Sequence, residues 1–416
     1  MINSKDYYRR KTCRLCKSED IDSVLKLNST PPANAFVKKT ELNFTQKTYP
    51  LEVFFCKNCN HVQILDVVNP SILFENYVYV SGTSPVFRNH FEEYAIDIIK
   101  EFNPSYEELI IDIGSNDGTL LSCFKSRGYK VLGIDPAKEI ADQANRKGVE
   151  TLNDFFDFEV SEHININYPK ASIISANNVF AHCDDLIGII RGVKNILSQN
   201  GVFVFEVSYL VDVFEKTLFD TIYHEHLSYL SVITLCKFFK SNGMHLFKVD
   251  RINTHGGSIR GYARLSNDSS YEHESIKNLI SLEKKLGINK KQTLLNYASK
   301  INDLKLNLNN ILRTLKSQGK KIGAFGAPAK ATTLMYQYGL DKFLIDFIID
   351  DSPLKQGLFS PGLHIPVLSS HAIVTEKPDY LLLLAWNFSD SIIKKNKKYL
   401  ESGGHFIVPL PKVKII

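Results

Sequence analysis

The sequence has no long apolar run and no strongly charged tract. A membrane-spanning helix needs ~20 consecutive apolar residues, and no stretch of the 416 residues reaches that length. The first residues are polar and contain no apolar core of a signal peptide. The net charge is only +5, and the most basic run, KKNKKY at 394–399, is more typical of a solvated helix face than of a nucleic-acid site. We therefore expect a cytoplasmic protein without membrane or nucleic-acid partners.

Cysteine is scarce, and its odd count of seven argues against a disulfide framework. Four of the seven form two CxxC pairs, Cys13 with Cys16 and Cys56 with Cys59. Two such turns can bring four thiolates to one tetrahedral zinc ion, and a site closed by four protein ligands is structural rather than catalytic. His61 is an alternative ligand, but the paired cysteines complete the site without it. The sequence therefore predicts a structural zinc site in a small N-terminal lobe.

A complete G-x-G-x-x-G dinucleotide fingerprint is also lacking. Residues 108–151 nevertheless read as a strand, a glycine turn, a helix and a second strand, and the turn DIGSNDG is close to the D-x-G-x-x-x-G pattern of methyltransferases that use S-adenosylmethionine (SAM). Asp112 lies at the end of the first strand, where dinucleotide folds seldom have an acid. Asp135 ends the second strand, where it can bind ribose hydroxyls. We therefore predict a SAM site rather than an NAD site. Its candidate residues in this unit are Asp112, Gly114, Asn116, Asp117, Gly118, Asp135 and Pro136.

A polar loop, NNVFAHCDD at 177–185, follows the next predicted strand. It lies at the carboxyl edge of the sheet, where α/β folds bind ligands. Asn177 and Asn178 thereby join the predicted cofactor site. His182 lies near the cofactor edge, although a lone histidine at a helix start can equally be a packing residue.

The stretch DTIYHEHLSYLS, at 220–231, crowds titratable side chains into a few positions. Such groups are costly to bury without a function. The stretch follows the fifth predicted strand, so Tyr223, Glu225 and His226 should lie over the carboxyl edge of the sheet, beside the methyl donor. The alternative is a loop that joins two domains through polar contacts.

The C-terminal part predicts a second α/β unit. Residues 270–310 have the periodicity of an amphipathic helix, and GAFGAPAKATTL at 323–334 reads as a strand, a glycine turn and a helix. A second dinucleotide is disfavoured because one chain rarely needs two nucleoside cofactors. A helix that starts after Gly326 suits a phosphate, with Lys330 and Arg260 as possible partners or, alternatively, as solvated surface cations.

Taken together, in this order and spacing, the motifs resemble the sugar C-methyltransferases of deoxysugar biosynthesis. The resemblance covers nearly the whole chain through the CxxC pairs, DIGSNDG, NNVFAH, YHEHLSY, THGGSIRGY and GAFGAPAKATTL. It implies SAM-dependent methylation of a nucleotide-linked, by family habit dTDP-linked, 4-keto-6-deoxysugar. A carbon next to the ketone would be deprotonated and methylated, with C3 favoured over C5.

The resemblance also implies residue roles. His226 would be the general base, Glu225 would orient it or tune its pKa, and Tyr223 would donate to the developing enolate oxygen. His224 leaves a second candidate for the base, but His226 aligns with the family motif. Further implied catalytic positions are His182, Tyr77 and Tyr79, and the implied substrate-binding residues are His224, Arg260 and Lys330.

We expect an α/β protein with a zinc-binding lobe (1–80), a Rossmann-like SAM methyltransferase domain (81–268), a helical connector (269–310) and a Rossmann-like domain that binds the nucleotide-sugar (311–416). Three joined domains can enclose the site alone, so we expect a monomer. Alternatives are an O- or N-methyltransferase of a sugar or small metabolite, a non-catalytic nucleotide-sugar binding protein and, more remotely, a dehydrogenase built on the C-terminal glycine turn.

Overall fold

The computed structural model describes residues 6–74, 82, 85–254, 256–266 and 272–416. Tyr77 and Tyr79 lie outside the described residues. Within these ranges, no helix combines the length and the apolar character needed to cross a membrane.

The N-terminal lobe is built from short antiparallel strands. They are β1 (Tyr7–Arg9), β2 (Ile21–Thr30), β3 (Tyr49–Cys56), β4 (Val62–Ile64) and β5 (Asp66–Val68). Strand β3 lies between β2 and β4, while β1 pairs with β5. In β3 the buried side chains alternate with partly exposed ones, as expected for a strand with one face on a core.

The central sheet has seven strands in the order β8, β7, β6, β9, β10, β13, β12. The strands that follow the lobe are β6 (Leu109–Ile113), β7 (Lys130–Ile134), β8 (Thr151–Leu152), β9 (Ala171–Asn177), β10 (Leu197–Ser208), β11 (Ser228–Tyr229), β12 (Met244–Ile252) and β13 (Ser258–Leu265). Strands β6 to β10 are parallel, and β13 runs antiparallel to both of its neighbours. The central strand β6 is buried at all five positions, as parallel strands covered on both faces are.

Strand β6 lies between β7 and β9, with β7 and β8 on one side and β9 and β10 on the other. The strand order therefore reverses at β6. Ligands of open α/β sheets bind at the carboxyl ends of the strands at such a switch point. The helices up to this sheet's end are α1 (Pro70–Phe74), α2 (Pro85–Phe102), α3 (Thr119–Lys125), α4 (Lys138–Arg146), α5 (Phe158–Asn167), α6 (Leu186–Ile196), α7 (Leu210–Glu215) and α8 (Val232–Ser241). The glycine turn 114–118 therefore opens at the position predicted for the cofactor.

Strand β11 does not join the central sheet, although it follows β10 in sequence. It pairs antiparallel with β4, with Ser228 opposite Gln63 and Tyr229 opposite Val62. The N-terminal sheet thus has the order β11, β4, β3, β2. The predicted catalytic residues consequently lie just before the edge strand of the N-terminal sheet.

Two helices connect the central sheet to the C-terminal one, α9 (Glu274–Leu286) and α10 (Lys291–Ser317). The sequence predicted one helical stretch here. Gly287, with φ of +66°, ends α9 in the left-handed conformation that glycine adopts without strain. The buried side chains of α10 recur every three or four residues, which gives the amphipathic pattern that the sequence predicted.

The C-terminal sheet has six strands in the order β16, β15, β14, β17, β18, β19. The strands are β14 (Ile322–Phe325), β15 (Ile348–Ile349), β16 (Val367–Leu368), β17 (Tyr380–Leu383), β18 (His405–Val408) and β19 (Lys414–Ile415). All pairs are parallel except the last. The helices of this part are α11 (Ala329–Tyr338), α12 (Ala372–Glu376), α13 (Ser389–Lys395) and α14 (Lys397–Glu401). The α/β architecture predicted from the sequence is confirmed for the lobe and for both sheets.

Candidate active site and metal centre

The four paired cysteines converge in the N-terminal lobe. Their sulfur atoms all lie within 4.8 Å of one another, and the Sγ distances are 3.6 Å for both Cys13–Cys59 and Cys16–Cys56. Both turns have the same form. The residue after each second cysteine, Lys17 or Asn60, has a positive φ and donates its N–H to the carbonyl of the first cysteine.

This donor set fits Zn²⁺, which binds thiolates tetrahedrally. Cys13 and Cys56 are fully buried, so four thiolates this close would repel one another without a cation. His61 is also buried, but its Nε2 lies 3.2 Å from the Ser228 hydroxyl and the residue is not part of the cluster. The cluster thus consists of the four predicted cysteines, and the alternative ligand His61 lies outside it. A cation bound there would link the two turns.

The glycine turn after β6 has the backbone conformation of a close ligand cradle. Gly114, Asn116 and Gly118 all have positive φ. A Cβ at Gly114 would meet Val179, so a larger residue does not fit there. The carboxylate of Asp135 accepts the N–H of Asn116 and the N–H of Ala137, both at 2.9 Å. The second-strand acid thus holds the turn in shape.

The other predicted cofactor residues lie around this turn. Asp117 accepts bonds from Lys147 at 2.9 Å and from Thr119 at 2.6 Å. Pro136 directly follows Asp135. Asn178 has a left-handed backbone conformation and donates its N–H to the carbonyl of Glu206.

Asp112 and Asn177 supply polar groups at the same edge of the sheet. The carboxylate of Asp112 accepts a 2.6 Å bond from Ser175, and burial raises the pKa of Asp112 to about 7. Both amide atoms of Asn177 are shielded from solvent, and no described group bonds either of them. Buried amides are normally satisfied, so this one fits a ligand such as SAM that carries donors and acceptors.

Sequence reasoning missed a charged network beside this amide. Glu206 lies in register between Asn177 on β9 and Arg260 on β13. Its carboxylate is 2.9 Å from His90 Nε2 and 2.8 Å from Arg260 Nε. Burial opposes ionisation of Glu206, but the bonds to His90 and Arg260 outweigh it and lower its pKa. The guanidinium of Arg260 also stacks over Tyr94, with 4.2 Å to the ring centroid. Glu206 is a lone acid in the apolar run of β10, which is the signal that could have found it.

The aromatic side chains of the 220–231 stretch meet those of the 177–185 loop. The ring centroids of His226 and Tyr223 are 4.1 Å apart, and those of His226 and His182 are 4.9 Å apart. His182 stacks in turn on Phe74. The Nδ1 atom of His226 is 2.7 Å from the carbonyl oxygen of Thr221. A carbonyl only accepts, so Nδ1 carries the hydrogen and Nε2 holds the lone pair of the neutral ring.

His224 and Glu225 face the N-terminal lobe. Nε2 of His224 is 3.0 Å from the carbonyl oxygen of Pro50, and the ring packs edge-on against Tyr49. Burial lowers the pKa of His224, which favours its neutral form. The carboxylate of Glu225 accepts a bond from the amide of Asn34. His224 is thus a contact between the stretch and the lobe, and the structure does not bring it into the His226 cluster.

Lys330 contacts the start of the same stretch. Its Nζ lies 3.3 Å from a carboxylate oxygen of Asp220 and 4.2 Å from the ring centroid of Trp386. The Lys330 side chain is 13% exposed and that of Arg260 is 8% exposed. Neither cation is a solvated surface group, which excludes that alternative.

Known proteins match this arrangement in the same order along the chain. A model described as "Putative zinc binding domain" matches residues 13–74, a "Methyltransferase domain" matches 87–249, and a "C-methyltransferase C-terminal domain" matches 253–411. The C-methyltransferase NovU of Streptomyces niveus is 33% identical over 404 residues, which are 97% of this chain and 96% of that protein.

Solved structures with low identity resemble part of the chain. A SAM-dependent methyltransferase from Clostridium acetobutylicum is 14% identical, covers 43% of this chain and 92% of its own, and has a TM-score of 0.35. Magnesium protoporphyrin IX methyltransferase from Synechocystis is 12% identical, covers 43% of this chain and 79% of its own, and has a TM-score of 0.33.

The protein is an enzyme that transfers a methyl group from SAM, and its N-terminal lobe carries a four-cysteine cluster consistent with zinc. It belongs to the C-methyltransferase family represented by NovU, so the acceptor atom is carbon rather than oxygen or nitrogen.

Proposed function

We propose that this C-methyltransferase acts on a nucleotide-linked 4-keto-6-deoxysugar, with dTDP as the nucleotide and C3 favoured over C5 as the methylated carbon. The sugar class rests on the motif resemblance over nearly the whole chain. The observation that carries the proposal is the bond from His226 Nδ1 to the Thr221 carbonyl, at 2.7 Å. In the neutral ring this bond places the hydrogen on Nδ1 and the basic lone pair on Nε2, and such a base is what carbon methylation requires.

The reaction requires a carbon nucleophile. A proton next to the ketone is removed by Nε2 of His226, and the electron pair of that C–H bond becomes part of an enolate. Proton transfer makes the His226 ring cationic, and the Thr221 carbonyl then faces the positive ring and stabilises it. The bond also fixes the ring orientation, so little reorganisation accompanies the transfer.

Tyr223 and Glu225 support this step in the proposal. The Tyr223 ring lies against His226, so its hydroxyl is suited to donate to the enolate oxygen. Glu225, the residue before His226, is 4% exposed and is held by the Asn34 amide, and in the proposal its carboxylate supplies a negative charge to the base. A cationic His226 is stabilised by that charge. The His182 ring also packs against the His226 ring, and in the proposal it helps to exclude water from the base.

Asn177, Asp112 and the 114–118 turn would hold SAM, with Asn177 supplying the buried amide that the described residues leave unbonded. When bound, SAM supplies an electrophilic methyl group on a sulfonium sulfur. Burial raises the pKa of Asp112 to about 7, and a cationic ligand bound beside this carboxyl would favour its charged form.

We assign the nucleotide to the C-terminal domain. Gly326, with φ of +90°, shapes the turn between β14 and α11, and a Cβ there would meet Ala385. The N-terminal N–H groups of α11 suit a phosphate. Asp350 holds this turn through the N–H of Ala327 at 2.6 Å, as Asp135 holds the turn of the central sheet.

The test is deuterium exchange into candidate 4-keto-6-deoxy nucleotide-sugars, followed by NMR with and without SAM. We expect one hydrogen next to the ketone to exchange, and SAM to place a methyl group on that carbon. The variant His226→Gln should lose both activities by ~100-fold or more while it still binds SAM. The matched control is His224→Gln, which changes the neighbouring imidazole that contacts the lobe. Near-normal exchange in His226→Gln would refute its role as the base, and exchange with none of the sugars would refute the substrate class.

A further inference from the structure

Arg14 lies inside the first cysteine turn and is fully buried. Its guanidinium faces four acceptors. Nη1 is 3.0 Å from the carbonyl oxygen of Leu227, Nη2 is 2.9 Å from that of Ile64, and Nε is 3.0 Å from the carboxylate of Asp184. Nη1 also lies 3.2 Å from the side-chain oxygen of Gln63. An arginine with this many partners, three of them in buried residues, has a single orientation.

Two of these partners belong to the loops that carry the histidines of the active site. Leu227 directly follows His226, and Asp184 is two residues after His182. The same loops are joined to each other, because the N–H of Leu227 donates to the carbonyl of Ala181 at 3.1 Å. Arg14 therefore binds both loops within two residues of the two rings.

The cysteine turns hold Arg14 itself. It lies between Cys13 and Cys16, and its backbone N–H donates to Gln63 at 3.0 Å. Gln63 and Ile64 lie in β4, which follows the second turn. A cation that links the turns thus fixes both the arginine and the strand on which β11 pairs.

We propose that Arg14 is a positioning residue that sets the spacing of His182 and His226, so that the metal lobe orients the catalytic base. The inference rests on the proposed function of His226. It gives the cysteine cluster a part in the reaction geometry, although the cluster does not touch the reacting atoms. Lysine cannot replace Arg14, because one ammonium cannot reach the Leu227 carbonyl and the Asp184 carboxylate in the same fork geometry.

Arg10 offers a matched control. Its Nη1 binds the same Asp184 carboxylate at 2.7 Å, and the other described bonds of its side chain go to the backbone of Asp184 and Thr12. Arg14→Lys and Arg10→Lys therefore each alter an ion pair with Asp184, but only the first removes the bond to Leu227. An effect that comes only from the charge of Asp184 would be equal in the two variants.

The experiment compares both variants with the wild type in the full-length protein. The first readout is ¹H–¹⁵N NMR of labelled histidine, with the Nδ1–H signal of His226 assigned from His226→Gln. It needs no substrate. The second is the rate of methylation and of α-hydrogen exchange, and the controls are bound zinc and SAM affinity. In Arg14→Lys we expect the hydrogen-bonded Nδ1–H signal of His226 to disappear and kcat to fall by ~10- to 100-fold. Zinc content and SAM affinity should be unchanged. Arg10→Lys should resemble the wild type.

An unchanged His226 signal in Arg14→Lys would overturn the proposal, and so would equal losses in the two variants. If Arg14→Lys fails to bind zinc, Asp184→Asn provides the second test. The amide keeps the shape of the carboxylate but weakens the bond between Arg14 and the 182–184 loop. We therefore expect a smaller loss of kcat than in Arg14→Lys. An unchanged kcat would contradict the inference. A lost signal in Arg14→Lys together with no exchange in the wild type would support the positioning role and refute the proposed substrate instead.

Discussion

Replacing Lys330 by methionine should destabilise the junction between the C-terminal domain and the 220–231 stretch by ~3–5 kcal/mol, the usual effect of removing one partner of a buried ion pair. The carboxylate of Asp220 has no exposed surface, and Lys330 lies 3.3 Å from one of its oxygens. Trp386 donates its indole N–H to the same oxygen at 2.6 Å. The other oxygen has no hydrogen-bond donor among the described residues, so the variant leaves a charge that one indole cannot compensate.

The loss should depend on pH with a definite sign. Burial raises the pKa of Asp220 even with Lys330 present, and the attraction of Lys330 opposes that rise. Without Lys330 the folded-state pKa rises further above its unfolded value. The native state then binds a proton that the unfolded state releases, so stability falls as the pH rises through this interval. Lys330→Met should therefore be closer to the wild type at about pH 5 than at about pH 8.

Trp386 is the single tryptophan of the chain, so its fluorescence reports on this junction during urea unfolding. The control is Asp220→Asn combined with Lys330→Met. It buries neither charge and should recover most of the lost stability. Wild-type stability of Lys330→Met at every pH would refute the reasoning. The double variant also tests Lys330 as a phosphate ligand, because a raised KM for the nucleotide-sugar in a protein of restored stability would support that role.

Three further predictions follow from the site. Cys59→Ser should lose bound zinc and protease resistance of the N-terminal lobe, measured by metal analysis and limited proteolysis, whereas Cys236→Ser should retain both. Asn177→Ala should weaken SAM binding by ~10-fold in titration calorimetry, as expected for one buried hydrogen-bonding group, with an unchanged melting temperature. Burial raises the pKa of Asp112 to about 7, so the SAM-free protein loses stability as the pH rises from about 4 to 7. Asp112→Asn should therefore melt at a higher temperature than the wild type above pH 7 and at an equal one near pH 4, and a constant difference would contradict the assignment.

The features that the sequence predicted well are those encoded within short segments. Each CxxC pair forms its own turn, and the DIGSNDG turn lies between a strand and a helix that are adjacent in sequence. Their chemistry depends on spacing that can be read directly, so Cys13 and Gly114 were identified with their partners. The order of the sheets follows in the same way from alternating strand and helix patterns.

The long-range pairs could not be read from the sequence. Arg260 and Lys330 looked like substrate ligands or surface cations, yet their described partners are Glu206 and Asp220, 54 and 110 residues away along the chain. Arg14 carries no signal of burial, because arginine is usually exposed. The pairing of β11 with the N-terminal sheet could not be predicted either, because a strand of two residues, Ser228 and Tyr229, is too short to show an alternating pattern. The assignments of Tyr77 and Tyr79 and the domain boundaries stay predictions.

The pairing of β11 with the N-terminal sheet suggests why the enzyme has a metal lobe and a C-terminal domain in addition to the central sheet. The stretch that carries His226 leaves the central sheet and is fixed by its neighbours on both flanks. On one flank Thr333 donates to the carbonyl of Ile222 at 2.8 Å, from the C-terminal domain. On the other, the carbonyl of Leu227 accepts from Ile64 N–H and from Arg14. In this proposal the central sheet binds the methyl donor, while the base is oriented by the other two domains. Removing the metal lobe should therefore abolish proton abstraction and leave SAM binding to the sheet.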